Sequence, residues 1–303
     1  MKSARPFIKW AGGKGRLLEQ LEQYFPPELK AGKLKYYLEP FLGGGALYFA
    51  LSGTYRIKAY LSDINKDLIL TYCVVQQKPE YLLDCLKQLQ DRYDATKQEN
   101  RQAFFLSVRE HFNNQRFVIN YDTVSEEGIR RAAQFIFLNK TCFNGLFRLN
   151  AQGEFNVPYG KYKRAAIFDE ETILAASRTL QNATITQAAY QDCYKLIEQD
   201  SLVYFDPPYR PLSQTAQFTR YTGAAFGDKE QIELADFYRK IDYEKGAKLI
   251  LSNSDPTITN LADTFFEEIY AGYHIVRLYA ARAINCKGDK RGTIRELLIT
   301  NYP

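Results

Sequence analysis

The chain has 303 residues, 46% of them hydrophobic and 25% charged, with a formal net charge of +5. Those values exclude a disordered or fibrous chain and suit one large globular domain, or a catalytic domain carrying a second lobe. The mild overall charge decides nothing, but Lys140 to Arg164 and Arg282 to Arg295 each hold five basic residues against one acid, which fits either a solvated face or contact with a polyanion.

The five cysteines, Cys73, Cys85, Cys142, Cys193 and Cys286, are scattered without a CxxC pair, and the only histidines are His111 and His274. That argues against a disulfide framework and against a structural metal site. The N-terminal MKSARPFIKW lacks an apolar signal core, and no run approaches the length of a membrane span. A cytoplasmic protein without membrane contact is therefore expected.

In chain order, FIKWAGGKGRLL (7–18) comes first, with Trp10, a glycine pair and Lys14 ahead of any obvious strand. Trp10 suits an ordinary core, while its polar neighbours suit an adenine or carboxylate contact. KYYLEPF (35–41) reads as a strand and runs past Phe41 into Gly43, Gly44 and Gly45. Such a turn lets the backbone approach a ligand, or simply joins a strand to a helix. The spacing is not GxGxxG, and Glu39-Pro40 ahead of it is unusual for a dinucleotide site. IKAYLSD (57–63) is the next strand, ending on Asp63. An acid at that place holds a ribose diol in nucleotide-binding α/β folds, and equally suits the N-cap of a helix starting near Lys66.

Between 68 and 180 the character becomes helical. PEYLLDCLKQLQDRY carries apolar residues at 82, 85, 86 and 89. Ser125 with Glu126 and Glu127 marks the start of another helix, whose apolar face holds Ile129, Ala132, Ala133, Ile136 and Phe137. FRLNAQGEFNVPYGKYK (147–163) then reads as a β-hairpin turning at NAQG. Strands resume with SLVYFD (201–206), AKLILSNS (247–254), IVRLYA (275–280) and ELLITNY (296–302); KEQIELADFYRKI between them reads as a helix with Asp228 as N-cap and Gln231 three residues on. Continuous apolar runs of this kind suit strands buried on both faces of a mostly parallel sheet, so the fold class is α/β.

The most informative stretch is Asp206-Pro207-Pro208-Tyr209, which ends a buried strand on a stiff loop. An exocyclic amine such as adenine N6 is a poor nucleophile because its lone pair is delocalised into the ring. The Asp206 carboxylate and the Pro207 carbonyl offer two rigid acceptors for its N–H groups, which frees that lone pair. Tyr209 offers a face on which the base stacks, and a base in a duplex would have to be flipped out to reach it. The plainer alternative is a Pro-rich turn with the tyrosine packed inward.

FIKWAGGK, EPFLGGGA, SDIN, the hairpin, DPPYRPLSQTAQFTRYT and RELLITNY, in that order over nearly the whole length, resemble the D12-class DNA adenine-N6 methyltransferases, particularly the Dam type. The resemblance implies a Rossmann-like methyltransferase sheet at 1–67 and 181–303, interrupted by a mainly helical, hairpin-bearing target-recognition domain at 68–180. It implies S-adenosyl-L-methionine as methyl donor, lined by Trp10, Lys14, Glu39, Asp63 and Asp206, with Phe41 and Gly43 to Gly45 in the turn beneath. Asp206, Pro207, Pro208 and Tyr209 become the catalytic motif.

The resemblance further implies double-stranded DNA as partner, without membrane or metal, and a monomer; a cognate restriction endonuclease in the host is left open. Arg148 becomes the first choice for a guanine contact and Lys9 the second. Asn144, Pro158 and Tyr162 become base or orphan-strand contacts, and Lys140, Lys161, Lys163 and Arg164 phosphate contacts, with Arg282, Lys287, Lys290 and Arg291 in the same role. Similarity of the hairpin to that of Dam-type enzymes implies a GATC target. The chain departs from the pattern at QAAYQDC (187–193), where Tyr190 supplies an aromatic but Ala189 stands at the acid's position and Asp192 lies nearby. The closest enzymatic alternative is methylation of another planar amide or amine, such as a protein glutamine or an RNA base; for glutamine, related motifs read NPPY where this chain has Asp206, and a protein-directed enzyme would not need the basic hairpin. A binding protein that has lost catalysis is disfavoured by the intact Asp206, Tyr209, Asp63 and glycines.

Overall fold

The computed structural model describes residues 3–210, 226–281 and 293–303. Two single helical turns, α1 (Leu18–Leu21) and α2 (Pro27–Lys30), precede β1 (Tyr36–Glu39), α3 (Ala46–Thr54) and β2 (Lys58–Asp63). Helices α4 (Lys66–Gln77), α5 (Pro79–Ala95), α6 (Arg101–Gln115), α7 (Glu126–Thr141) and α8 (Glu170–Leu180) follow before the chain returns to the sheet. The rest is β3 (Ala183–Gln187), β4 (Ser201–Phe205), α9 (Asp228–Lys245), β5 (Lys248–Ser254), α10 (Phe265–Ile269), β6 (His274–Ala281) and β7 (Thr293–Thr300).

The seven strands form one sheet in the order β3-β2-β1-β4-β5-β7-β6. β1 to β5 are parallel, and β7 runs antiparallel to both β5 and β6. This mixed α/β sheet is consistent with a methyltransferase fold of the S-adenosylmethionine-dependent kind. The continuous apolar run of β4 has a simple cause. Leu202 and Tyr204 join a core with α3 to α8, while Val203 and Phe205 join a second core with α9 and α10 on the other face.

Six of the strands lie where their apolar runs predict. The edge strand β3 was not foreseen, because its ATITQ is polar and largely exposed. The helix predicted at Ser125 is α7, and the Ser125 hydroxyl accepts from the Gly128 N–H at 3.1 Å. Asp228 is not an N-cap: it is the first residue of α9, the cap position belongs to Gly227, and the Gly227 N–H donates to Glu230 at 2.8 Å. The predicted hairpin is present but short, with one antiparallel bridge at Leu149 and Phe155 and a second bridge, Cys142 to Tyr159, at its base. Asn113 of α6 bonds both the N–H and the C=O of Phe155 and so ties the hairpin to the helices. A buried pair, Arg131 of α7 with Asp67 of α4 at 2.6 Å, joins those two helices.

Candidate active site

The C-terminal ends of β1, β2 and β4 bring Glu39, Asp63 and Asp206 to one edge of the sheet, beside the switch in strand order where α/β sheets bind ligands. The first segment of the chain lies across that edge. Lys14 sits there almost fully buried, and its Nζ donates to Asp206 Oδ1 at 2.6 Å, to the Tyr209 hydroxyl at 2.7 Å and to the Gly12 carbonyl at 3.0 Å. An ammonium has three protons, and all three are used. Burial pushes Asp206 up to about 6, against the opposing pull of Lys14. Lys14 itself is held above its ordinary value: burial lowers it, and its anionic neighbours Asp206 and Glu296, with Tyr204 and the Asp206 hydrogen bond, together more than compensate.

The loop after β4 is fixed from its other side as well. Gln231 of α9 is fully buried and donates to the Pro208 carbonyl at 3.0 Å, while accepting from Asn253 of β5 at 3.1 Å. Arg210 holds Asp228 at 2.6 Å and Asp263 at 2.7 Å, with its guanidinium over the Phe265 ring. Neither Gln231 nor Arg210 was foreseen as a site residue. Glu296, also unforeseen, lies 3.5 Å from Lys14 Nζ. The visible signal was a lone acid opening the apolar run ELLIT.

Asp63 Oδ2 accepts the Gly43 N–H at 3.0 Å and Oδ1 accepts the Asn65 N–H at 2.9 Å, so the acid fastens the glycine turn to β2. Burial raises Asp63 and these backbone donors oppose the rise. It does not cap the next helix; Asn65 does, accepting from Asp67 and Leu68. At Gly43, φ is +48°, and a Cβ there would stand 2.6 Å from Trp10 Cδ1. The tryptophan therefore demands this glycine. Trp10 is clamped on its other side by Phe147, stacked at 5.9 Å. Phe41 stacks on Tyr190 at 5.3 Å. Asp192, an exposed residue, accepts the Ala189 N–H at 3.1 Å. Glu39 is buried beneath the turn with Tyr37 donating to it at 2.9 Å, and burial pushes its carboxyl up to about 8.

Next to Trp10, the backbone of Lys9 is locked to Asn139 of α7 by two hydrogen bonds of 2.8 Å. Its ammonium lies 5.0 Å over the Tyr162 ring, and its stem crosses Gly145, where any Cβ would collide with it. Asn144 is exposed and left-handed at φ 56°, between Gly145 and the half-exposed Phe143. Pro158, also exposed, accepts the Phe143 N–H at 2.8 Å. Lys161 adopts φ 55° on the surface next to Tyr162. Burial, with Lys9 and Arg5 nearby, pulls Lys140 down to about 8. Arg148 Nε donates to Asn156 Oδ1 at 2.7 Å across the hairpin. Arg282, Lys287, Lys290 and Arg291 lie outside the described residues, as does RPLSQTAQFTRYT beyond Arg210.

Residues 10–284 match the family of D12 class N6 adenine-specific DNA methyltransferases. The chain belongs to this family. It is an adenine-specific DNA methyltransferase of the D12 class, and its curated relatives span it almost end to end. It is 47% identical to the type II methyltransferase M.MjaIII of Methanocaldococcus jannaschii, over 98% of this chain and 99% of the relative. It is 37% identical to M1.LlaDCHI of Lactococcus lactis subsp. cremoris, over 98% and 95%, and 34% identical to the DNA adenine methylase of Vibrio cholerae, over 100% and 98%. Among the described residues no group of three or more His, Cys, Asp or Glu is arranged to hold a metal ion, and no helix is long and apolar enough to cross a membrane.

Proposed function

We propose that this D12-class enzyme transfers a methyl group from S-adenosyl-L-methionine to N6 of an adenine flipped out of double-stranded DNA, within GATC. The observation that carries the reading is the Lys14–Asp206–Tyr209 contact at the edge where the glycine turn and Asp63 meet. The donor set suits the cofactor. Asp63 is an acceptor suited to a ribose diol, Lys14 is the cation at the junction, and Asp206 with Glu296 outnumbers it in charge, which favours a sulfonium. Bound there, the cofactor supplies an activated methyl group.

The protein's own part is to bind and orient. Lys14 holds Oδ1 of Asp206, so the carboxylate is fixed in rotation and its second oxygen serves as acceptor for the amine. Gln231 holds the Pro208 carbonyl, which fixes the peptide plane next to that of Pro207, the second acceptor. Two acceptors drawing on the two N–H groups localise the nitrogen lone pair for attack. Tyr209 supplies the stacking face, at a base-flipping cost of a few kcal/mol.

The mainly helical insertion at 68–180, with its hairpin, serves as the target-recognition domain. Arg148 on the hairpin arm and Lys9 beside Tyr162 read bases, Asn144 and Pro158 border them, and Lys140, Lys161, Lys163 and Arg164 meet phosphates. The run from Lys140 to Arg164, with five basic residues against one acid, supports a polyanionic partner. Sequencing of modified bases in a host expressing the protein tests this reading: N6-methyladenine at GATC is expected, and a different methylated motif would remove the target assignment while keeping the chemistry.

A further inference from the structure

Phe147 stands between the hairpin and the strand ends. It precedes Arg148 on the first arm of the hairpin and faces the other way: Arg148 is half-buried and reaches across to Asn156, whereas Phe147 is only 4% exposed. Within the lobe its ring meets Phe135 of α7 at 5.1 Å and Phe155 of the second arm at 5.6 Å. Those two contacts suffice to seat the hairpin on the helices. A third leaves the lobe, where the ring stacks on Trp10 at 5.9 Å with the planes 18° apart.

Trp10 passes the contact on. A Cβ at Gly43 would stand 2.6 Å from Trp10 Cδ1, and one at Gly44 3.2 Å from Trp10 Cβ, so the tryptophan lies flush against the glycine turn. Both polar groups of Gly43 are pinned from elsewhere: its N–H goes to Asp63 at 3.0 Å, and its carbonyl accepts from the Tyr72 hydroxyl at 3.2 Å. Close-packed rings leave no slack, so a displacement of Phe147 reaches the turn through Trp10. The first arm is short and bridged to the second at Leu149. A base gripped by Arg148 therefore also fixes Phe147, its chain neighbour.

We propose that Phe147 is a positioning residue that couples target reading to cofactor binding. With Arg148 on its guanine, the arm holds Phe147 against Trp10, and Trp10 holds the glycine turn in the form that accepts the cofactor. The ordering of Trp10 is then shared, so whichever ligand binds second binds more tightly. The coupling is reciprocal and has one value in both directions. No covalent step is involved.

The inference rests on the proposed roles of Arg148 and of the glycine turn, and is tested with the full-length enzyme by calorimetry. The Kd of S-adenosyl-L-homocysteine, the demethylated form of the donor, is measured without DNA, with a duplex carrying the motif that the wild type methylates (GATC as proposed), and with a scrambled duplex. In the wild type the target duplex is expected to lower that Kd about 5-fold or more, and the scrambled duplex to leave it nearly unchanged. In Phe147→Leu, which keeps an apolar side chain but loses the flat ring, the two duplexes are expected to have the same small effect. Phe137→Leu is the control for packing. Phe137 is fully buried in the same lobe against Tyr93 and Phe104, and its replacement is expected to lower Tm while keeping the wild-type ratio.

A Phe147→Leu enzyme that keeps the wild-type ratio overturns the proposal, as does a Phe137→Leu enzyme that loses it equally. If Phe147→Leu does not fold, the wild type decides through its single tryptophan. The target duplex alone is then expected to change Trp10 emission and the scrambled duplex to leave it unchanged; equal emission with both overturns the proposal. A wild type that binds no S-adenosyl-L-homocysteine, or methylates no DNA adenine, removes the underlying reading instead. A wild type that methylates its motif with the same cofactor Kd on both duplexes removes only the coupling.

Discussion

Lys14 Nζ lies 2.6 Å from Asp206 Oδ1, although 192 residues separate the two in the chain. The contact closes the N-terminal segment over the end of β4. It also makes Trp10, four residues earlier, part of the same wall as the glycine turn. The fold therefore assembles the site by crossing the strand ends with a segment that belongs to no strand.

Gly43→Ala is expected to disturb that wall. The new Cβ would meet the Trp10 ring at 2.6 Å from a backbone at φ +48°, so the tryptophan has to move. A loss of order 1–3 kcal/mol in stability is expected from the strained backbone conformation. The protein has a single tryptophan, so its emission reports the displacement directly. Unchanged emission and Tm would show that the turn yields in some other way.

Glu39 gives a pH signature. Burial raises its folded-state value from the ordinary carboxylate range to about 8. Between those values the native state holds a proton that the unfolded state lacks, so stability falls as pH rises through that window. Each unit of displacement is worth about 1.4 kcal/mol at most. Glu39→Gln, which mimics the protonated form, is expected to flatten the decline in denaturation midpoint between pH 5 and 8. A decline of equal slope in the variant contradicts this assignment.

Gln231→Leu removes the hydrogen bond to the Pro208 carbonyl and strands the Asn253 amide, both inside the protein. A stability loss of about 1–3 kcal/mol is expected, together with a fall in kcat that exceeds any change in KM for DNA. A stability loss with full kcat in the folded fraction would make Gln231 a packing residue only.

Arg148→Ala is expected to relax discrimination at one guanine of the target by about 1–3 kcal/mol. Turnover on duplexes with single-base changes measures it. A uniform loss of affinity across sequences would mark Arg148 as a phosphate contact.

Much of this was legible in the sequence. Strands buried on both faces announce themselves as apolar runs, and the DPPY loop follows one of them. β3 escaped because an edge strand with exposed Thr and Gln carries no such run. Asp228 was misplaced because a carboxylate near a helix start has two uses, and here it serves Arg210 while Gly227 occupies the cap. Asp63 was read with two roles, and the structure gives the capping role to Asn65. The glycines were read as room for a ligand or as a plain strand-helix turn; that Trp10 packs against Gly43 is a long-range contact no local pattern reveals. Gln231 and Glu296 were invisible for the same reason. Each lies on an element whose pattern predicts burial, and only the packing of α9 and β7 against the strand ends shows what they touch.

The most direct measurement is transfer of labelled methyl from S-adenosyl-L-methionine to a GATC-containing duplex by the wild type and by Asp206→Ala, with DNA binding followed in parallel. Label in DNA as N6-methyladenine, abolished by Asp206→Ala while DNA binding persists, is the predicted result. Near-normal turnover in Asp206→Ala, or wild-type label in protein or RNA with none in DNA, would contradict the account.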